Sequence, residues 1–237
     1  MPDSLTVLGH TDLISEFRGD LRYLTVPKDD AQLTMVGLKV HRPLVLFASL
    51  CPYHYHEASA RAFTPSETWQ QWLHFRQTIE DSPSFHVLLP GEKIDPTQTE
   101  KVQLLLHLEG AHPIEEPAGL EQFVAFGGQA LTLTWNTANQ YAGGALSKGG
   151  LSDLGKEFLA EMERLGVLLD VSHLNETSFW DVLEVYRGPI MASHSNAREL
   201  VDSPRNLTKR QLHALRERPS WVGVSFGKSG IRSHVSL

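Results

Sequence analysis

The sequence holds one cysteine, Cys51, in 237 residues, so no internal disulfide can form and a reducing compartment is the simplest home. It has no apolar run approaching the roughly 18–20 residues of a membrane span. Its start, MPDSLTVLGHTDL, lacks the charged n-region and long apolar stretch of a signal peptide. The polar tail GIRSHVSL is not a lipid-anchor signal. There is no basic stripe or run of Lys and Arg, and the formal net charge of -7 offers little to nucleic acid or anionic membranes. Low-complexity segments and solenoid-period repeats are missing too. These absences lead to the expectation of a soluble cytoplasmic protein acting on small molecules, without nucleic-acid or membrane partners.

What is present is length and pattern. The chain is long enough for one large core, and its 41% hydrophobic content suits a single α/β domain spanning residues 1–237. Strand-like apolar runs occur at Leu5–Gly9, Met35–Ser49, Val102–Leu108, Ala130–Thr134, Val167–Val171, Pro189–Ala192 and Trp221–Ser225. The second is long enough for two strands or one with a bend. Such short runs, rich in Val, Leu and Ile, suit buried parallel strands. Helical patterns lie between them. Thr64-Pro65-Ser66-Glu67 has capping-box spacing ahead of Trp69, Trp72, Leu73, Arg76 and Ile79. Leu151, Leu154, Phe158, Leu159, Met162 and Leu165 form a stripe that Gly166 ends. Asn175 caps a further helix stopped by Gly188-Pro189, and Thr208 with Gln211 forms another capping box. Strand–helix alternation predicts parallel strands with right-handed crossovers, and about seven such units favour a closed barrel over an open sheet.

Barrel enzymes place their chemistry where strands end. His10-Thr11-Asp12 follows the first run, Glu109-Gly110 the third, Ser172-His173 the fifth and Ser193-His194-Ser195 the sixth. Imidazole and carboxylate donors without cysteine are typical of catalytic rather than closed structural zinc sites. On an extended strand i and i+2 share a side, so His10 and Asp12 can reach one ion. Glu109 has two oxygens and can bridge to a second ion held by His173 and His194. Two ions about 3.5–4 Å apart can share a water, lower its pKa and polarise a carbonyl. Each motif alone carries little information; four at strand ends carry much more.

The segments GHTDL, HLEGAHPI, LTLTWNTAN, LLDVSHLN, ASHSNAR and PRNLTKRQL, in this order, resemble the membrane (renal) dipeptidase family of zinc metallopeptidases. The resemblance runs from about Thr6 to Phe226, is faint between residues 20 and 100, and is specific from Leu104 onward. It implies a (β/α)8-type TIM-like barrel, two Zn2+ ions, a small dipeptide as substrate and often a homodimer. It also implies that His10 and Asp12 bind one ion, that Glu109 is the bridging, catalytic carboxylate, and that His173 and His194 bind the other ion. Arg205 matches a residue that holds the substrate's carboxylate end, a task suited to a guanidinium fork.

Two positions depart from the family pattern. Where the family has LTLTH, this chain has Trp135, which cannot accept a proton and is read as a substrate-contacting pocket wall, with Asn136 or Asn139 supplying polar contacts. The family's GSDFDG strand, whose Asp moves a proton, has no counterpart before Leu237, so the eighth strand is expected to be lacking. Other candidates have plainer readings. His54 and His56 match no family motif, His107 reads as a packed, hydrogen-bonded histidine, and His112 lies beside the Glu109 turn or outward. Asp170 either orients a ligand histidine or makes a loop contact. Lys209, Arg210, Arg216 and Arg218 read as a solvated helix face. A metal-dependent dipeptidase is the leading expectation. Its rivals are a two-metal hydrolase of another cyclic amide or a lactone, and a catalytically silent, shortened metal-binding remnant.

Overall fold

The computed structural model describes residues 5–15, 34, 37–38, 41–54, 61–80 and 82–226. The chain divides into two compact units, Met1–His107 with Phe126–Gly128, and Leu108–Ala125 with Gln129–Leu237.

In the first unit, β1 (Thr6–Thr11) pairs in parallel with β2 (Leu44–Leu50), and the register slips between Leu8 and Thr11. Among the described residues of the run Met35–Ser49, Gly37 and Leu38 are helical and β2 begins at Leu44; Met35, Val36, Lys39 and Val40 lie outside the described residues. Every β2 residue is buried, as expected of a strand that is apolar at all positions but Ser49 and covered on both faces. A short antiparallel hairpin follows, β3 (Tyr53–His54) with β4 (Arg61–Ala62). The helix α1 (Pro65–Glu80) begins at the expected capping box: Thr64 N donates to Glu67 Oε2 at 2.7 Å and Glu67 N donates to Thr64 Oγ1 at 3.2 Å. Its buried stripe is Thr68, Trp72, Phe75 and Ile79, shifted from the expected one, so Trp69, Leu73 and Arg76 flank the core half-buried. Full burial of side chains such as Phe75 and Ile79 contributes about 1.5–3 kcal/mol each. The three-residue β5 (Phe85–Val87), which α1 packs against, escaped the sequence reading; it pairs in parallel with the start of β6 (Val102–Glu109), which also neighbours β2.

The second unit takes the last two residues of β6 and then α2 (Gly119–Ala125). Its strands run in the order β7 (Gly128–Thr132), β8 (Leu168–Asp170), β9 (Ile190–Ala192) and β10 (Ser220–Val222), every pair parallel. Three helices connect or follow them: α3 (Asp153–Leu165), α4 (Glu176–Val185) and α5 (Lys209–Arg216). Ser152, Asn175 and Thr208 cap the three N-termini, the last within a complete capping box. Gly166 ends α3 in the left-handed region, as expected, whereas α4 stops at Val185, before Gly188-Pro189. Gly155 in α3 lies so close to the Tyr141 backbone that an added Cβ would sit 2.3 Å from its carbonyl oxygen, which explains a glycine inside a helix. Among the described residues no strand follows β10, and no helix is long and apolar enough to cross a membrane. Arg218 departs from the solvated-face reading: its Nη2 donates to the Tyr186 carbonyl at 2.8 Å.

Candidate metal centre

The strands of the second unit deliver their polar residues at the chain positions that immediately follow them. Glu109 closes β6, and Gly110 then turns the chain at φ 114°, a conformation side chains other than hydrogen resist. His173 lies just beyond β8 with φ 67°, the one described non-glycine residue in the left-handed region. That conformation costs on the order of 1–3 kcal/mol and persists where surrounding contacts hold it. Here Thr134 Oγ1 donates to the His173 carbonyl at 3.2 Å. His194 follows β9 by two residues.

The three side chains converge. His173 Nε2 lies 2.8 Å from Glu109 Oε1, His194 Nε2 lies 3.2 Å from the same oxygen, and the two Nε2 atoms are 3.0 Å apart. The Glu109 and His173 side chains are 4% and 6% exposed, so this is a desolvated cluster with one open side at His194, 17% exposed. Ligand atoms on a tetrahedral ion with bonds of about 2.0–2.1 Å stand about 3.3 Å apart, close to the spacing of this trio. The donor set and its spacing therefore fit a divalent metal ion.

Behind the ligand atoms, polar contacts fix the rings. His173 Nδ1 faces Asn136 Oδ1 at 3.0 Å. His194 Nδ1 faces Ser193 Oγ at 2.7 Å, and the Ser193 hydroxyl donates to Asp170 Oδ2. Asp170, fully buried, also accepts from the backbone N–H of Ser172 at 2.9 Å and of Ser193 at 3.0 Å. Asp170 thus makes the loop contacts of one reading directly and reaches His194 through Ser193. Trp135 stands beside His173, ring centroids 6.1 Å apart. Arg205 is half-buried, with Nη2 3.5 Å from the His194 carbonyl. Burial lowers its proton affinity from the usual arginine range, while the carboxylates of Glu109 and Asp170 act in the opposite direction.

His10 and Asp12 belong to the first unit. Asp12 falls just past β1, exposed, with Oδ1 3.8 Å from His10 Nε2, so the HxD spacing does bring the two side chains together. His10 Nδ1 meets Ser49 Oγ at 3.2 Å, and the same hydroxyl meets Nδ1 of the fully buried His107 at 2.9 Å. His107 is thus packed and hydrogen-bonded as expected. His54 bonds to Arg61 at the protein surface, while His56 lies outside the described residues. Ser193 and Ser49 were missed in the sequence. Ser193 stood next to a flagged histidine, the only available signal; Ser49 lies inside an apolar strand and gave none.

Known proteins resemble this chain in sequence and in fold. A family model described as membrane dipeptidase, peptidase family M19, matches residues 1–235. A Klebsiella pneumoniae protein from the pqqA 5′ region, itself uncharacterised, is 34% identical over 176 residues, 70% of this chain and 65% of that relative. A Rhodobacter sphaeroides metallo peptidase, solved with a phosphinate mimic of the dipeptide L-Ala-D-Ala, superposes with a TM-score of 0.81 over 97% of this chain and 76% of its own, at 24% identity. A solved dipeptidase of family M19 gives a TM-score of 0.70 at 27% identity, over 79% of this chain and 61% of its own. These likenesses bear out the expected fold class, the TIM-like parallel α/β fold of metal-dependent hydrolases. The chain spans about two thirds of the Klebsiella relative it matches. With a family model over nearly its whole length and a buried two-histidine, one-glutamate cluster at its strand ends, the chain belongs to the membrane dipeptidase family of metallopeptidases, M19.

Proposed function

We infer that this chain is a zinc-dependent dipeptidase that hydrolyses the peptide bond of small dipeptides. The observation that carries the reading is the convergence of Glu109 Oε1, His173 Nε2 and His194 Nε2 within 2.8–3.2 Å of one another. Family membership adds the reaction class. Glu109, His173 and His194 would hold one ion, and His10 with Asp12, on motif grounds, a second that Glu109 shares. Bound zinc supplies Lewis acidity and a water acidified to near neutral pH.

The remaining roles belong to the protein's own groups. Arg205 would bind the substrate's C-terminal carboxylate, since a guanidinium fork matches a carboxylate with two parallel hydrogen bonds. Trp135 would form one wall of the substrate pocket, its indole excluding water on the His173 side. The fully buried Asp170 stays with Ser193 and the backbone, so it is not a proton carrier for the substrate. Nor is Ser193 a nucleophile: its proton goes to Asp170, and its ring partner is His194 Nδ1. Dipeptide cleavage that disappears on chelation and returns with added zinc is the expected result. Cleavage unaffected by chelation would refute the reading.

A further inference from the structure

Both histidines of the cluster are gripped at the nitrogen that faces away from it. A neutral imidazole has one N–H and one lone pair, and the partner at one nitrogen decides the role of the other. At His173, Asn136 Oδ1 is an acceptor only, so Nδ1 carries the proton and Nε2 the lone pair. At His194 the decision is relayed. Asp170 is fully engaged as an acceptor, taking two backbone N–H groups and the Ser193 proton. The Ser193 hydroxyl has given up its one proton, so toward His194 Nδ1 it can only accept. Nδ1 of His194 is therefore the donor, and its Nε2 lone pair also turns to Glu109.

Burial makes these contacts selective. Asp170 and Ser193 are 0% and 3% exposed, so no water competes for either hydroxyl or carboxylate. At His173, Asn136 holds Nδ1, and Trp135 stands beside the ring, tilted by 33° with centroids 6.1 Å apart. Asn136, which follows the position where the family pattern has a histidine, thus acts on His173 itself.

We propose that Asn136 and the Asp170–Ser193 pair are positioning residues that hold His173 and His194 as Nδ1–H tautomers, presenting both Nε2 lone pairs to a divalent cation beside Glu109. This rests on the reading of Glu109, His173 and His194 as metal ligands. Groups that orient ligand histidines change metal affinity without touching the ion.

The test is zinc affinity, measured by competition with a chromophoric chelator on the full chain and its variants, with circular dichroism as the folding control. Asn136→Leu and Ser193→Ala are each expected to weaken zinc binding about 10–100-fold. Asn136→Asp keeps an acceptor at Nδ1 and restores the affinity that Asn136→Leu loses, which a packing role for Asn136 would not predict. Nitrogen-15 NMR of the zinc-loaded wild type should find the proton on Nδ1 of both rings. If wild type binds zinc but Asn136→Leu and Ser193→Ala bind it equally well, or if zinc sits on Nδ1, the positioning proposal falls and the metal reading stands. If wild type binds no zinc, both fall. Asn136 lies on a half-exposed loop, so its two variants decide the matter even if Ser193→Ala does not fold.

Discussion

His173 Nε2 lies 2.8 Å from Glu109 Oε1, although one residue closes β6 and the other sits in a left-handed turn beyond β8. The pairing sets a buried carboxylate against an imidazole whose far side is already bonded to Asn136. A carboxylate so deeply buried is costly unless cations or donors meet it. Among the protein's own groups the nearby charge of Arg205 offsets part of that cost, and a cation held by Glu109, His173 and His194 would offset the rest.

Removing the carboxylate should therefore remove the centre. Glu109→Ala is expected to lose bound zinc and to reduce dipeptide cleavage to background while the fold survives. Metal analysis and a dipeptide assay on the same sample check this, with circular dichroism as the control.

Arg205 should act on substrate binding. A hydrogen bond to a charged group contributes about 1.5–3 kcal/mol, so Arg205→Met is expected to lower kcat/KM about 10–100-fold, chiefly through KM. A dipeptide amide, which lacks the terminal carboxylate, should be cleaved equally by wild type and variant. An equal loss for both substrates would place Arg205 elsewhere in the reaction.

The capping box at α5 makes a stability prediction independent of the site. Thr208 Oγ1 accepts from Gln211 N at 3.3 Å, and Gln211 Oε1 accepts from Thr208 N at 2.8 Å. Thr208→Ala should cost about 1 kcal/mol and lower Tm by a few degrees. Thermal unfolding measures it.

Alkali should destabilise the second unit through two tyrosines. Burial pushes the Tyr141 and Tyr186 hydroxyls up to about 12, with nearby glutamates adding to the rise. Their folded pKa values exceed the unfolded value of about 10, so the stabilisation is complete below pH 10 and is lost as pH rises toward 12. A pH titration of phenolate absorbance should show two late-ionising tyrosines, coincident with loss of structure.

Much of this was legible in the sequence because local rules operated. The capping boxes at Thr64 and Thr208, the Gly166 stop and the parallel strands from β6 onward follow from hydrogen-bonding and periodicity along a few residues. Glu109, His173 and His194 announced themselves by standing just past apolar runs, and they meet as expected. What was not legible depends on contacts between segments. The stripe of α1 includes Phe75 where the sequence reading had Leu73, and Trp72 Nε1 donates to the distant Phe126 carbonyl, a partner no helical wheel shows. The three-residue β5 is too short to carry a pattern and exists because β6 lies beside it. Ser193 is one serine among several, and its role comes only from Asp170, which the fold brings across from β8.

The most direct measurement is a crystal structure of the zinc-loaded protein with anomalous data at the zinc absorption edge. A peak bonded to Glu109 Oε1, His173 Nε2 and His194 Nε2, with a second shared through Glu109 toward His10 and Asp12, is the expected result. A fully loaded crystal with no peak at Glu109, or with zinc only at surface residues such as His54 or His86, would contradict it.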